Sequence, residues 1–249
     1  MNVGLYQSAA SLSALERWQE AVSQNITSSE VTAYKKRTVS FNGQDSGQFM
    51  PDPAARLDDG NSQPATFPVA SSSINFQPGE TKPTGRKLDV ALQGEGFFQV
   101  QLPDGTTGYT RTGEFQLTAD RSVVTGQGAK VLLAGGSPLQ LNPGQAELLI
   151  KPDGTVSQGG TSLGKLSIQT FANNAQLVPL AAGLFAAPAG VEPTAVAQPA
   201  VIQGSLESSN LTSLHEMVDL VTISRAYEAN QKVITSNDDL LDKTIQAFG

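Results

Sequence analysis

The chain has 249 residues, of which 39% are hydrophobic, with a formal net charge of −7 and no cysteine. This composition supports a compact core in one or two domains. The acidic balance argues against a nucleic-acid binder, which would need a basic face, and the lack of cysteine excludes disulfides and thiolate metal sites. No signal-like apolar region opens the chain, and no apolar run reaches the roughly 20 residues of a membrane helix. We therefore expect a soluble chain with an uncleaved N-terminus and no direct membrane insertion.

Residues Val3 to Gln24 have the pattern of an amphipathic helix. Their apolar side chains recur at spacings of three, four and seven residues, which is typical of a helix that buries one face. Short polar residues beginning at Asn25 favour the end of the helix, because they compete for backbone hydrogen bonds. The apolar positions are Leu5, Leu12, Leu15, Trp18 and Val22. Trp18 is interpreted as a core or interface residue rather than part of a cofactor site.

The next segments have weak patterns. Lys35, Lys36 and Arg37 follow Tyr34, and we interpret this short basic cluster as a solvated segment. Residues 42–87 are rich in Gly, Pro, Ser, Asp and Gln and predict an extended linker.

From Leu88 the sequence alternates apolar and polar residues over short runs. Asp104-Gly105 and Asp153-Gly154 are hairpin signals between such runs, so residues 88–180 predict an all-β domain. Residues 181–200 are rich in Ala, Pro and Gly and are interpreted as a return linker.

The C-terminal stretch predicts one long helix from Leu214 to Phe248, with Ser213 and Glu216 as a capping box. One apolar line recurs every seven residues: Leu220, Tyr227, Ile234, Leu241 and Phe248; Met217, Val221, Ile223 and Ile245 widen it into a stripe. Such a helix would be roughly 50 Å long, too long for a small domain's own core to cover. Its expected partner is the helix at Val3 to Gln24.

A second line of polar residues runs beside the apolar one, at Ser224, Gln231 and Asp238. Polar residues at a helical seam lower stability but fix register and partner number. We interpret them as register-setting contacts between neighbouring subunits. Periodicity alone equally allows a dimerising tail or a helix folded onto its own domain.

No pattern indicates catalysis, a metal or a cofactor. Gly94-Glu95-Gly96 lacks the third glycine of a dinucleotide loop and is better explained as a bend between strands. His215, the single histidine, has no nucleophile elbow and no other metal-ligand candidates to join it. We expect no enzyme activity.

The chain resembles the bacterial flagellar rod and hook family, specifically its basal-body rod proteins. The resemblance covers nearly the whole length and is carried by two specific blocks. The central block is Leu88–Phe98 with Tyr109–Phe115, and the C-terminal block is Leu206–Asn210, Glu216–Val218, Arg225–Glu228, Asn230 and Lys232.

The N-terminal block departs from the family pattern. It keeps Asn25, Tyr34 and Lys35 but has Ala33 where the family has a glycine. A left-handed backbone would be strained by alanine at that position, so either the turn differs or the chain is a divergent member.

The resemblance implies a structural subunit that polymerises into the rod, the helical drive shaft of the flagellum that crosses the periplasm. The implied fold is α+β, with residues 1–41 and 201–249 paired as a coiled-coil stalk and the β domain outside it. The implied partners are further copies of itself, other rod subunits, adjoining hook or ring proteins, and the flagellar type III export machinery.

The subtype is open. Compact length favours the proximal rod, whereas Thr170–Asn174 and Arg225–Tyr227 favour the distal rod. A competing class is an envelope module that binds or hydrolyses glycan and uses its helices only to oligomerise. The expected assembly-interface residues are Leu5, Leu12, Leu15, Trp18, Val22, Asn25, Met217, Leu220, Ser224, Tyr227, Gln231, Ile234, Asp238 and Leu241.

Overall fold

The computed structural model describes residues 3–45, 66–144, 147–180 and 183–248, with side chains at all of these except residues 3, 5, 45, 241, 247 and 248. The chain divides into two units. The helical unit comprises Met1–Thr27, Arg37–Asn75 and Thr212–Gly249, and the β unit comprises Ser28–Lys36 and Phe76–Leu211. The predicted mixed fold, with a helix near each end of the chain and a β domain between them, is confirmed at this level. Residues 46–65, part of the predicted linker, lie outside the described residues.

The helical unit contains two helices and a two-stranded ribbon. They are α1 (Val3–Thr27), β1 (Arg37–Asp45), β2 (Thr66–Ile74) and α2 (Ser213–Phe248). Small and apolar side chains, Ala14, Leu15, Ala21 and Val22, are buried along one face of α1. This spacing is the amphipathic pattern that predicted the helix.

The ribbon was not predicted as strands. β1 and β2 pair antiparallel, from Arg37 opposite Ile74 to Asp45 opposite Thr66. Hydroxyl groups face each other across it, with Thr38 Oγ1 2.9 Å from Ser73 Oγ and Ser40 Oγ 2.8 Å from Ser71 Oγ. Apolar residues alternate over only one period on each strand, Val39 with Phe41 and Phe67 with Val69, so the alternation that signals a strand is short here. The interpretation of the whole of residues 42–87 as a linker without strands is therefore wrong.

The long C-terminal helix is confirmed, but its expected capping box is not. The carbonyl of Thr212 accepts hydrogen bonds from the N–H groups of His215 (3.0 Å) and Glu216 (3.3 Å), and the helix begins at Ser213. The Glu216 side chain bonds elsewhere, to Asn25. Thr212 therefore occupies the N-cap position, where the sequence predicted Ser213.

Among its described residues, the β unit contains short strands and a 3-10 helix, Asn174–Gln176. The strands are β3 (Thr81–Pro83), β4 (Val90–Gln93), β5 (Phe97–Gln101), β6 (Thr107–Thr110), β7 (Phe115–Leu117), β8 (Val123–Thr125), β9 (Lys130–Val131), β10 (Leu148–Ile150), β11 (Thr155–Gln158), β12 (Thr161–Lys165), β13 (Ile168–Thr170), β14 (Val178–Pro179), β15 (Leu184–Ala186), β16 (Thr194–Ala195), β17 (Ala200–Gln203) and β18 (Ser205–Glu207).

A nine-stranded sheet dominates this unit. Its main path is β14-β15-β6-β5-β9-β8-β7, and β13 joins it by pairing with β5 and β16. β10, β11 and β12 form a separate sheet, while β4 pairs with β17 and β3 with β18. The hairpins predicted at Gly105 and Gly154 are confirmed, since both residues have positive φ and join paired strands.

Residues 181–200 also contribute strands, although the sequence predicted a return linker there. Leu184 and Phe185 of β15 pair with β6, and both side chains are buried. Two-residue and three-residue strands among Ala and Pro are too short to show a period.

The core of the β unit is formed by apolar side chains from most of its strands, including the fully buried Phe98, Val100 and Val156. The backbone also packs closely at Gly113, whose carbonyl accepts a hydrogen bond from the N–H of Val90 at 3.0 Å. A Cβ at Gly113 would lie 1.6 Å from the carbonyl oxygen of Val90. No larger residue fits there without moving the backbone.

Candidate assembly interface

The predicted interface residues on α1 lie mostly inside the helical unit. Leu15 and Val22 are 8% and 2% exposed, and Leu12 and Trp18 are half-buried. The Trp18 ring packs edge-on against Phe41 of β1, with centroids 5.6 Å apart. The side chain of Leu5 lies outside the described residues.

Asn25 forms a buried polar contact between α1, α2 and β1. Its Nδ2 donates to the Glu216 carboxylate at 2.9 Å and to the Arg37 carbonyl at 2.8 Å, and its Oδ1 accepts from the Arg37 N–H at 2.9 Å. Asn25 is 1% exposed and Glu216 is 0% exposed. A buried polar pair of this kind penalises any other register of the two helices, because a shift would leave both groups without this bond.

The buried face of α2 differs from the predicted line. Glu216 and Ile223 are buried, and the half-buried residues that continue this face are Asp219, Ala226, Tyr227, Asn230, Ile234 and Asn237. Tyr227 and Ile234 belong to the predicted apolar line, whereas Leu220 is 36% exposed. The face of α2 that is covered within the chain is therefore rotated from the line of sevens read in the sequence.

A group of large apolar side chains near the start of α2 is exposed. We call it the exposed apolar surface of α2, and it consists of Leu214, Met217, Val218, Leu220 and Val221, between 36% and 68% exposed. Further along the helix Val233, Leu240 and Ile245 are also exposed. The predicted polar residues Ser224, Gln231 and Asp238 are exposed as well, and the Leu241 side chain lies outside the described residues.

An open groove of about 480 Å³ runs beside this surface within the helical unit. Its lining includes Gln19 from α1 and Leu220, Ser224 and Tyr227 from α2. The groove therefore contains residues from both lines predicted in the sequence, the apolar line and the polar line that each recur every seven residues. Glu228 is the single charged residue of its lining, and Leu220, Val221 and Ile223 are apolar.

The β unit holds a buried charged cluster that the sequence did not reveal. We call it the Glu207 cluster. The Glu207 carboxylate accepts from Lys35 Nζ at 2.6 Å, from the Gly79 N–H at 2.9 Å and from Arg111 Nε at 3.0 Å. The remaining guanidinium nitrogens of Arg111 donate to the carbonyls of Gly96 and Gly94. These side chains are at most 4% exposed.

Burial shifts the pKa values of the two basic residues of this cluster. Burial lowers the pKa of Lys35, although its hydrogen bond and charge interaction with Glu207 oppose the effect. Burial likewise lowers the pKa of Arg111, again against the attraction of Glu207. The interpretation of Lys35 as part of a solvated basic segment is wrong, because the ammonium group is paired with a carboxylate 172 residues away.

The bend at Gly94 and Gly96 has a defined role in the cluster. Both glycines have positive φ, which confirms the predicted bend, and it connects β4 to β5. Their carbonyls point to Arg111 and not to an anion. Arg111 and Glu207 lie in the two sequence blocks that carry the family resemblance, and Lys35 lies in the N-terminal block. The presence of one of these charged residues in each block is the sequence signal that could have indicated the cluster.

Among the described residues, no three acidic, histidine or cysteine side chains are grouped to hold a metal ion. Over the same ranges, neither α1 nor α2 combines the length and apolar character needed to traverse a bilayer.

Two family models match the chain. The model described as "Flagellar hook protein FlgE/F/G D1 domain" matches residues 91–158. The model described as "Flagellar basal body rod FlgEFG protein C-terminal" matches residues 202–247. The first range covers the strands β5 to β11 in the β unit, and the second covers β18 and most of α2.

Relatives match over long ranges. The flagellar basal-body rod protein FlgF of Rhizobium meliloti is 30% identical over 260 aligned residues, covering 100% of this chain and 99% of the relative. FlgG of Agrobacterium fabrum is 32% identical, covering 93% of this chain and 94% of the relative. FlgG of Buchnera aphidicola from Acyrthosiphon pisum is 35% identical over 72% of each chain. On this similarity and both family models, the chain belongs to the flagellar basal-body rod protein family.

Proposed function

We propose that this protein is a structural subunit of the flagellar basal-body rod that polymerises into a helical shaft and transmits torque. The observation that carries the proposal is the exposed apolar surface of α2, together with the groove beside it. Fully burying one large apolar side chain contributes about 1.5–3 kcal/mol. Covering several adjacent ones by a neighbouring subunit is therefore a strong driving force for assembly.

The proposed arrangement has the terminal helices paired as a coiled-coil stalk that forms the inner part of the shaft, with the β domain outside. The Asn25–Glu216 contact supports a fixed pairing of the helices. The exposed polar residues Ser224, Gln231 and Asp238 are the proposed register-setting contacts with neighbouring subunits. A repeated contact between two different surfaces does not close on itself, so a filament results.

The proposed partners are further copies of this chain, other rod subunits, adjoining hook or basal-body ring proteins, and the type III export machinery. The proposed location is the part of the basal body that crosses the periplasm, and the proposed role is mechanical rather than enzymatic. We propose the proximal rod as its position, on the basis of compact length. Relatives named FlgF and FlgG both match at similar identity.

The test places a charge on the proposed interface. Met217→Asp and Val221→Asp alter side chains that are 53% exposed, so the purified monomer should unfold at the same urea concentration as wild type. Both variants should be absent from isolated hook–basal bodies, and the cells should not swim. Ser236→Asp adds the same charge at an exposed polar position of α2 and serves as the matched control.

Normal rods containing Met217→Asp and Val221→Asp would overturn the proposed interface. The position along the rod is tested separately by electron microscopy of basal bodies from a deletion strain. A structure that stops before the distal rod is expected for a proximal subunit, whereas a completed proximal rod would assign the chain to the distal part.

A further inference from the structure

The Glu207 cluster joins the two ends of the β unit. The incoming segment, Ser28–Lys36, directly follows α1 in the sequence, and the outgoing segment, Ser205–Leu211, directly precedes Thr212 and α2. Force that α1 applies along the chain enters the β unit through the incoming segment, and force that α2 applies enters through the outgoing segment; the chain also passes between the units at Asn75–Phe76. The contacts between them therefore decide how that force is distributed.

Backbone and side-chain bonds connect the two segments directly. The Ala33 N–H donates to the Glu207 carbonyl at 2.8 Å, and Lys35 Nζ donates to the Glu207 carboxylate. The Lys36 N–H donates to Asn210 Oδ1 at 2.8 Å, and the Asn210 N–H donates to the Tyr34 carbonyl at 3.3 Å. A pull that separates the segments loads all four bonds.

Arg111 connects this contact to the sheets. Its guanidinium binds the Glu207 carboxylate and the carbonyls of Gly94 and Gly96, which lie between β4 and β5. β5 is in the interior of the nine-stranded sheet. Lys35 Nζ also donates to the Gln77 carbonyl at 2.8 Å, just before β3. The cluster thus links both segments to the interior of the unit.

Burial keeps water from competing for these bonds. The side chains of Lys35, Arg111 and Glu207 are 1%, 4% and 2% exposed. A hydrogen bond in such surroundings is electrostatically stronger than one in water, and one left unmade is costly. Under load the bonds should therefore fail together rather than one at a time.

We propose that the Glu207 cluster is a mechanical clamp that carries force between the incoming and outgoing segments and so protects the sheets from being pulled apart. Its purpose in a torque-transmitting shaft rests on the proposed function, but the clamp itself is a property of the single chain. The side-chain bonds of the clamp are made by Lys35, Arg111 and Glu207.

The test uses the full chain under constant force. Because the chain has no cysteine, pairs of introduced cysteines give unique attachment points. Glu30→Cys with Leu211→Cys pulls across the clamp, whereas Gln116→Cys with Thr161→Cys pulls on exposed positions of β7 and β12. Lys35→Met removes the bonds from Lys35 Nζ to the Glu207 carboxylate and to the Gln77 carbonyl while leaving the Glu207–Arg111 pair, and Glu207→Gln is the second, stronger variant.

Val156→Ala is the matched control, since Val156 is a fully buried core residue outside the cluster. Across the clamp, Lys35→Met should shorten the lifetime of the folded unit about tenfold or more, because forced unfolding follows the unfolding rate. Across the clamp, Val156→Ala should shorten this lifetime much less than Lys35→Met does. Between positions 116 and 161, Val156→Ala should shorten it more than Lys35→Met does.

Equal shortening by Lys35→Met in both pulling directions would overturn the proposal and leave the cluster a general stabiliser of the fold. No shortening across the clamp by either Lys35→Met or Glu207→Gln would also overturn it. These outcomes are distinct from failure of the proposed function, which is read from the presence of the protein in isolated basal bodies.

Discussion

Asn25 Nδ2 lies 2.9 Å from the Glu216 carboxylate, joining two residues 191 positions apart in the interior of the helical unit. The same amide bonds both the N–H and the carbonyl of Arg37. One side chain near the end of α1 therefore fixes the start of α2 and the first residue of β1. Water cannot replace the Asn25–Glu216 bond without opening the unit, because the side chains of Asn25 and Glu216 are almost fully buried.

Asn25→Asp should strongly destabilise the helical unit. It replaces the donor with a second carboxylate beside Glu216, and breaking a buried pair in this way costs about 3–5 kcal/mol. Urea unfolding followed by circular dichroism measures this loss of stability. Gln24→Glu adds the same charge at the exposed neighbouring position and should change little.

Ala33→Gly should stabilise the protein. Ala33 has φ of +55° and is 4% exposed. The left-handed backbone costs a non-glycine residue about 1–2 kcal/mol, and glycine's greater freedom in the unfolded chain returns part of this, so a net gain of about 0.5–1 kcal/mol is expected. Ala14→Gly in α1 is the comparison and should lose stability instead. A loss with Ala33→Gly, measured by thermal unfolding, would show that the left-handed backbone carries no strain.

Lys35 gives a pH dependence of defined sign. Burial lowers its pKa in the folded state below the ordinary value of 10.5 that applies when the chain is unfolded. Between these two pKa values the unfolded state binds more protons, so the contribution of Lys35 to stability rises with pH and levels off above 10.5.

The difference in unfolding free energy between wild type and Lys35→Met isolates this effect from other titrating groups. It should shift in favour of wild type as the pH is raised through that window. A constant or falling difference in urea titrations at several pH values would contradict the assigned direction.

Gly113→Ala should be severely destabilising, by about 3 kcal/mol or more, because the added methyl would overlap the Val90 carbonyl. Gly126→Ala is the matched control, since a Cβ there meets no atom within 4 Å and φ is not in the left-handed region. Thermal unfolding of both variants separates close packing from general loss of glycine. Equal behaviour of the two would contradict the role given to Gly113.

Strong local sequence patterns correctly predicted the elements that depend on nearby residues. The two helices and the turns at Gly105 and Gly154 depend on neighbours within a few residues, and all are confirmed. The resemblance also singled out Ala33, where a left-handed backbone would be strained, but left open a different turn; the structure has Ala33 in the left-handed region. The line of sevens in α2 marked the covered face only in part: Tyr227 and Ile234 are half-buried, whereas Leu220 is exposed, because exposed and covered apolar residues look alike in a sequence.

The features that escaped the sequence depend on distant partners. Glu216 has the spacing of a capping carboxylate, yet the presence of Asn25 in space decides its role. Lys35 sits among other basic residues, which normally indicates solvent, and only the folded chain brings Glu207 to it. The β1–β2 ribbon pairs by backbone bonds and by Thr and Ser hydroxyl contacts, and its apolar alternation is too short to indicate strands.

The 172-residue separation of Lys35 from Glu207 also orders the events of folding. The β unit holds residues from both sides of that interval, so its closing contacts cannot form on a growing chain until residue 207 is available. Long-range closure of this kind is slow. A newly made chain therefore keeps the β unit unfinished until residue 207 has been made.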